Sequence, residues 1–163
     1  MINIESTYLA TELPELGKLK SSEIEQGYLS NAEDATRVRK IGDKFFITRK
    51  LMAIPGDKRY REEFEVEINK EEFDRIWKVV TKTIKKKRYA YKDDPSLEIM
   101  IDEFEGDLDG LALIEVSTTD EETAKSFEKP KWFGREVTEE DWATNQSLAG
   151  KKFADIANYM NKG

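Results

Sequence analysis

Six basic residues spread over four segments could do the chemistry of this chain: Arg37, Arg39, Lys50, Arg61, Lys86 and Arg88. Four carboxylates, Glu63, Glu65, Asp102 and Glu115, fall in the same or neighbouring segments with matching alternation. Arginine offers a planar fork suited to phosphate oxygens, and lysine a mobile point charge. Carboxylates placed opposite such cations either neutralise them or hold a hard divalent ion against phosphate. Composition removes most other chemistries. The 163 residues contain no cysteine and no histidine. That excludes disulfides, thiolate nucleophiles, Ser-His-Asp triads and most zinc sites. A metal would need carboxylate ligands, which points to magnesium or manganese. The net charge of -7 argues against nucleic acid as a partner. No apolar run reaches membrane-spanning length and no basic-then-apolar leader opens the chain, so the expected location is cytoplasmic, without a membrane partner.

The elements that must position these residues are strands. In the stretch Lys58 to Asn69, Arg61, Glu63, Glu65 and Glu67 occupy one parity, while Phe64, Val66 and Ile68 occupy the other. Alternation of this kind predicts a strand with one charged and one apolar face. Strands are likewise predicted over 2–10, 22–29, 35–41, 45–50, 82–91, 97–104 and 111–117, giving eight in all. Gly42-Asp43 and Pro55-Gly56-Asp57 are turn signals. Further turns are expected at 31–34, at Asp93-Asp94-Pro95 and in the acidic segment 106–110, and one helical turn within 14–20. Asn69 with Glu72 predicts a capped helix to about Val80. A short helix capped by Asp120 should reach Phe127, an aromatic anchor is expected at 130–133, a helix start at Thr138 with Asp141, and an amphipathic helix around Phe153–Met160. Trp77, Trp132 and Trp142 read as packing anchors, and Tyr28 either lines a cavity or packs.

Two arrangements satisfy this pattern. A flat sheet with helices on one side would leave the charges in water. A closed barrel would aim them into a polar lumen, and eight strands suffice to close one around a small ligand. Six cations converging there would repel one another without an anion.

The order of features resembles the CYTH domains, or triphosphate tunnel metalloenzymes. The likeness runs through EQGYLS at 25–30, RVRKIGDKFFITRK at 37–50, REEFEVEI at 61–68, KKKRY at 85–89, IDEFEGDLDGLALIEV at 101–116, and PKWFGREVTEEDW with NQSLA at 130–149. It implies an α+β fold: one domain over residues 1–163, an eight-stranded antiparallel closed β-barrel with polar interior, and helices packed outside. It also implies a triphosphate or nucleotide-like polyanion as ligand, with magnesium or manganese as cofactor. The phosphate-binding set would be Arg37, Arg39, Lys50, Arg61, Lys86 and Arg88. The metal set would be Glu5, Glu63, Glu65, Asp102 and Glu115, with Glu63, Glu65 and Glu115 as the catalytic acids.

The chain departs from the family pattern at four positions. Asn3 and Thr7 stand where the first strand carries a glutamate and a lysine, and Met100 and Ser117 where two further acids are usual. Three acids and one lysine are absent while the other bases remain. The sequence therefore favours a polyanion-holding tunnel, a sensor or sequestering protein with a weakened metal site and weak or absent hydrolysis. The alternative is a working magnesium- or manganese-dependent triphosphatase acting on inorganic or nucleoside triphosphates. No adenine pocket supports a cyclase, and a homodimer is left open.

Overall fold

The computed structural model describes residues 2–30, 35–94 and 96–161. The turns expected at 31–34 and at Pro95 include residues outside this set. Among the described residues nine strands form one antiparallel sheet: β1 (Ile2–Ala10), β2 (Lys20–Tyr28), β3 (Ala35–Ile41), β4 (Lys44–Ile54), β5 (Asp57–Ile68), then, after helix α1 (Lys70–Trp77), β6 (Lys82–Asp94), β7 (Leu97–Phe104) and β8 (Ala112–Thr118). Helix α2 (Glu121–Ser126), strand β9 (Phe133–Glu136) and helices α3 (Asn145–Leu148) and α4 (Phe153–Met160) complete the chain. The order is β5-β4-β3-β2-β6-β7-β8-β1-β9, and a further pairing of β5 with β1 closes the first eight into a barrel.

The closing seam is short. β5 reaches β1 only at Ile2, Ile4 and the residue between them. Further along the same edge of β1, β9 takes over at Tyr8 and Ala10. Val137 N–H donates to Thr7 O at 2.7 Å, and the Thr138 hydroxyl accepts from Thr7 N–H at 3.0 Å. The edge is thereby satisfied without a ninth wall strand.

Register turns the sequence alternation into two surfaces. Glu5 lies opposite Ser117, Thr7 opposite Glu115, Lys50 opposite Glu63, and Arg88 opposite Asp102. Side chains of one parity therefore face the lumen on every wall strand. That inward face is polar along part of each strand and apolar further on. Leu9, Tyr28, Ile84, Phe104 and Leu113 share the lumen parity, and they pack with Trp142, Leu148 and Ile156 in one buried cluster. The C-terminal segment thus plugs part of one end of the barrel. It does so where the inner face runs out of charge before the strands end, and it adds to the helical cover expected on the outside of the wall.

A second cluster lies on the outer face. Tyr8, Ile99, Ile101, Ile114 and Val116 are covered by Phe133, with Trp132 and Phe127 beside it. α1 covers another part of the outside. Its N-cap Asn69 accepts from Glu72 N–H while the Glu72 carboxylate accepts from Asn69 N–H, as the capping pattern predicts. Phe73 stacks on Trp77 and meets Phe45 at a tilt of 47°. A Cβ on Gly27 would meet Val80 at 2.8 Å and Trp77 at 2.9 Å, so the helix exit seats directly on β2. This cover ends early: Phe64 and Val66, on the outer face of β5, remain exposed.

Other differences are local. β4 and β6 run four and three residues beyond the predicted strands, because barrel pairing holds chain that alternation alone left as turn. The segment 14–20 contains a single turn, closed by Leu19 N–H donating to Leu16 O at 3.0 Å, and the acidic segment contains a 3-10 turn at Gly106–Leu108 that buries Leu108. Strand β9 lies over what was expected to be only an aromatic anchor and its continuation. Thr138 caps no helix, since its hydroxyl is engaged by Thr7. Thr144 instead caps α3 by accepting from Ser147 N–H at 3.1 Å.

Candidate triphosphate site

Among the described residues, two cavities that share part of their lining open in the lumen. The wide one has a volume of ≈ 690 Å³ and is lined by Arg37, Lys50, Arg61, Lys58, Lys82 and Lys151 among its cations. The narrow one has a volume of ≈ 150 Å³ and is lined by Arg37, Arg39, Lys50, Lys86 and Arg88. Glu5, Arg37, Lys50, Glu115 and Asn145 border both and form the collar between them. All six predicted basic residues therefore line one continuous space. Of the predicted acids, Glu5, Glu63, Asp102 and Glu115 do so too. Glu65 stands apart at the rim, where its carboxylate accepts from the Thr48 hydroxyl at 3.1 Å.

At the β6–β7 wall the charges interlock. Asp102 accepts from Arg88 Nε at 2.7 Å, from Arg88 Nη2 at 2.9 Å and from Lys86 Nζ at 2.8 Å. Lys86 and Asp102 are almost completely buried. Burial alone would raise the Asp102 carboxyl, but Arg88 and Lys86 overcome it and hold the group well below the ordinary carboxylate range. Arg88 is raised despite its burial, chiefly by Asp102. Lys86 is lowered to about 7, first by burial, with Arg88 and Arg39 adding repulsion against the pull of Asp102. Lys86 also donates to Asn145 Oδ1 at 2.9 Å. Gln26 Nε2 lies 3.4 Å from the same oxygen and donates to the Tyr28 hydroxyl at 2.8 Å.

The opposite wall is looser. Arg39 Nη1 lies 3.8 Å from both Glu63 and Glu65. Burial, and then Arg37 and Arg88, lower Arg39 to about 10. The Nε atoms of Arg37 and Arg39 are buried without a hydrogen-bond partner. Such donors are costly unless an acceptor arrives. On the remaining side, Lys50 Nζ donates to Glu5 at 2.7 Å, and Arg88 Nη2 lies 3.4 Å from Glu115. Burial raises the Glu5 carboxyl in spite of Lys50, with Glu115 and Glu63 adding to it, whereas Arg88 and Lys50 overcome burial to bring Glu115 down to about 2.

Along about nine-tenths of its length, this chain matches a curated relative. It is 33% identical over 152 residues to an inorganic triphosphatase of Nitrosomonas europaea, covering 91% of this chain and 97% of that one. An inorganic triphosphatase of Acetivibrio thermocellus is 32% identical over 132 residues, or 80% of this chain and 82% of the relative. The chain belongs to the triphosphate tunnel, or CYTH, family. The crystal structure of the inorganic triphosphatase NE1496 superimposes with a TM-score of 0.65 at 31% identity, covering 90% of this chain and 93% of that one. No family model matches the chain.

Family membership implies a divalent metal, and the acids can be tested against that. Their oxygen chemistry suits magnesium or manganese. Their arrangement does not: among the described residues no three carboxylates are gathered so as to hold an ion, and Glu5, Glu63, Asp102 and Glu115 each face a cation. The residues as placed do not fit a resident metal. Three of the positions that depart from the tunnel-family pattern, Asn3, Met100 and Ser117, line the narrow cavity, and Thr7 lines the wide one.

Glu98 also lines the narrow cavity and was not singled out from the sequence, although it shares the parity of Asp102. Asn145 carried no sequence signal beyond the family resemblance. It comes from the plug rather than from a wall strand, so strand alternation could not reveal it.

Proposed function

We propose that this protein hydrolyses inorganic triphosphate to pyrophosphate and orthophosphate. The observation that carries the reading is the pair of buried guanidinium Nε groups, on Arg37 and Arg39, left without acceptors beside Lys86 and Arg88. Triphosphate oxygens satisfy those donors and offset the repulsion among the cations. The names of the two relatives favour hydrolysis over the holding function that the missing acids suggested.

In this reading the terminal phosphoryl group sits in the narrow cavity, held by Arg39 and Arg88. Arg37, Lys50 and Arg61 bind the other two phosphates toward the wide cavity. A water attacks the terminal phosphorus in line with the bridging oxygen. The bond to that oxygen breaks, and the pyrophosphate leaves against Arg37 and Lys50. Catalysis of this kind is mainly positioning and charge stabilisation. The group that takes the proton of the attacking water in this reading is Lys86, which lines the narrow cavity and which burial lowers to about 7 in the free protein. Asn145 and Asp102 fix the position of its Nζ. Magnesium or manganese is the companion ion, admitted with the substrate rather than held in advance.

The test is phosphate release from inorganic triphosphate, with ATP as a competitor substrate, in the presence of magnesium or manganese. Steady release of one orthophosphate per triphosphate is expected. Tight triphosphate binding with no release above background across neutral and alkaline pH would restore the holding function.

A further inference from the structure

β5 outruns the strand that closes the barrel on it. β4 runs beside it as far as Ile68, whereas β1 reaches only Tyr60, Arg61 and Glu62. Among the described residues no strand pairs with 63–68 on the β1 side. Every second residue there turns its N–H and C=O away from β4, and these groups form an open edge. α1 does not cover it: Phe73 lies against Phe45 of β4, and the chain leaves the helix over Gly27 of β2. The side chains are open on both faces. Phe64 is 51% and Val66 63% exposed on the outer face. On the other face Glu65 and Glu67 are exposed and Glu63 is half-buried.

Charge selects the occupant. Residues directly opposite in a ladder share a face, so a second β5 laid antiparallel on this edge would set glutamate against glutamate. Like charges so placed are destabilising, and the net charge of -7 adds repulsion between copies. A strand with lysine or arginine at alternate positions and aliphatic side chains between them suits both faces at once. Its cations meet Glu63, Glu65 and Glu67, and its apolar side chains cover Phe64 and Val66. We infer that residues 63–68 are a docking edge that adds a basic, alternating strand of a partner protein to the sheet of the barrel. Main-chain hydrogen bonds give such a complex its affinity, and the alternate side chains give it specificity. Six residues span about 20 Å, so the contact is small and the complex transient. Nothing in this docking depends on triphosphate hydrolysis.

The probe is a blocked hexapeptide of alternating lysine and valine, followed by calorimetry and by amide hydrogen exchange of the protein. It is expected to bind with a Kd in the micromolar range and to slow exchange at alternate amides within 63–68. A peptide of the same composition with its three lysines contiguous is expected to bind about tenfold more weakly, because it cannot match both faces. Val66→Lys, which removes apolar contact, is expected to weaken the alternating peptide about tenfold. Glu67→Lys is expected to weaken it about threefold and to improve binding of an alternating glutamate-valine peptide. Absence of binding, equal affinity for the two lysine peptides, or binding that leaves exchange within 63–68 unchanged would each overturn the docking edge. Concentration-dependent self-association in analytical ultracentrifugation, abolished by Val66→Lys, would assign the edge to a second copy and overturn the basic partner.

Discussion

The two walls of the lumen use the same ion-pair chemistry to different ends. On β6 and β7, Asp102 is buried and joined to Lys86 and Arg88 at 2.7 to 2.9 Å. On β3 and β5, Arg39 lies 3.8 Å from Glu63 and Glu65, and the Glu65 side chain is 36% exposed. Burial strengthens electrostatics and raises the penalty for losing a partner. The first wall is therefore a fixed scaffold that sets the protonation of Lys86. In the second, Arg39 is buried but only loosely paired with partly solvated carboxylates, so it can exchange them for a ligand.

The sharpest probe of the fixed wall is Lys86→Met. Turnover of triphosphate is expected to fall by about 10² to 10⁴, the usual contribution of a general base, while triphosphate affinity measured by calorimetry changes far less. A parallel loss of binding and turnover would reduce Lys86 to a phosphate ligand. Next in size is the contrast in stability. Asp102→Ala leaves the buried Lys86 without its carboxylate and takes from half-buried Arg88 the nearer of its two, and should cost about 3–5 kcal/mol in chemical denaturation. Glu65→Ala removes a rim carboxylate and should cost no more than about 1 kcal/mol. Similar losses for the two variants would erase the distinction between the walls.

The smallest effect is on pH dependence. Lys86 must be neutral to accept a proton, and its folded value of about 7 lies below its ordinary 10.5. The rate constant kcat/KM should therefore fall about tenfold per pH unit below 7 and level off above it. The same shift makes folding stability rise with pH from about 7 toward 10.5, because the unfolded chain holds the proton through that window. An acid limb that persists unchanged in Lys86→Met would assign the titration to another group.

Much of the lumen was legible because strand alternation has a period of two. Arg37 and Arg39, Glu63 and Glu65, and Lys86 and Arg88 each declare a common face, and closure then aims every such face inward. Glu98 was legible by the same rule. The plug was not. Trp142, Leu148 and Ile156 read only as packing residues, and nothing local says that they enter the barrel where Leu9, Ile84 and Phe104 replace charge on the inner face.

The sequence by itself determined which side chains share a face and which chemistries are absent, since parity and composition are properties of the chain alone. Only the tertiary structure decided which cation meets which carboxylate, how deeply each pair is buried, and that Asn145 reaches Lys86. Those depend on ladder register and on segments joined across long stretches of chain, and electrostatic strength follows distance and burial rather than residue type.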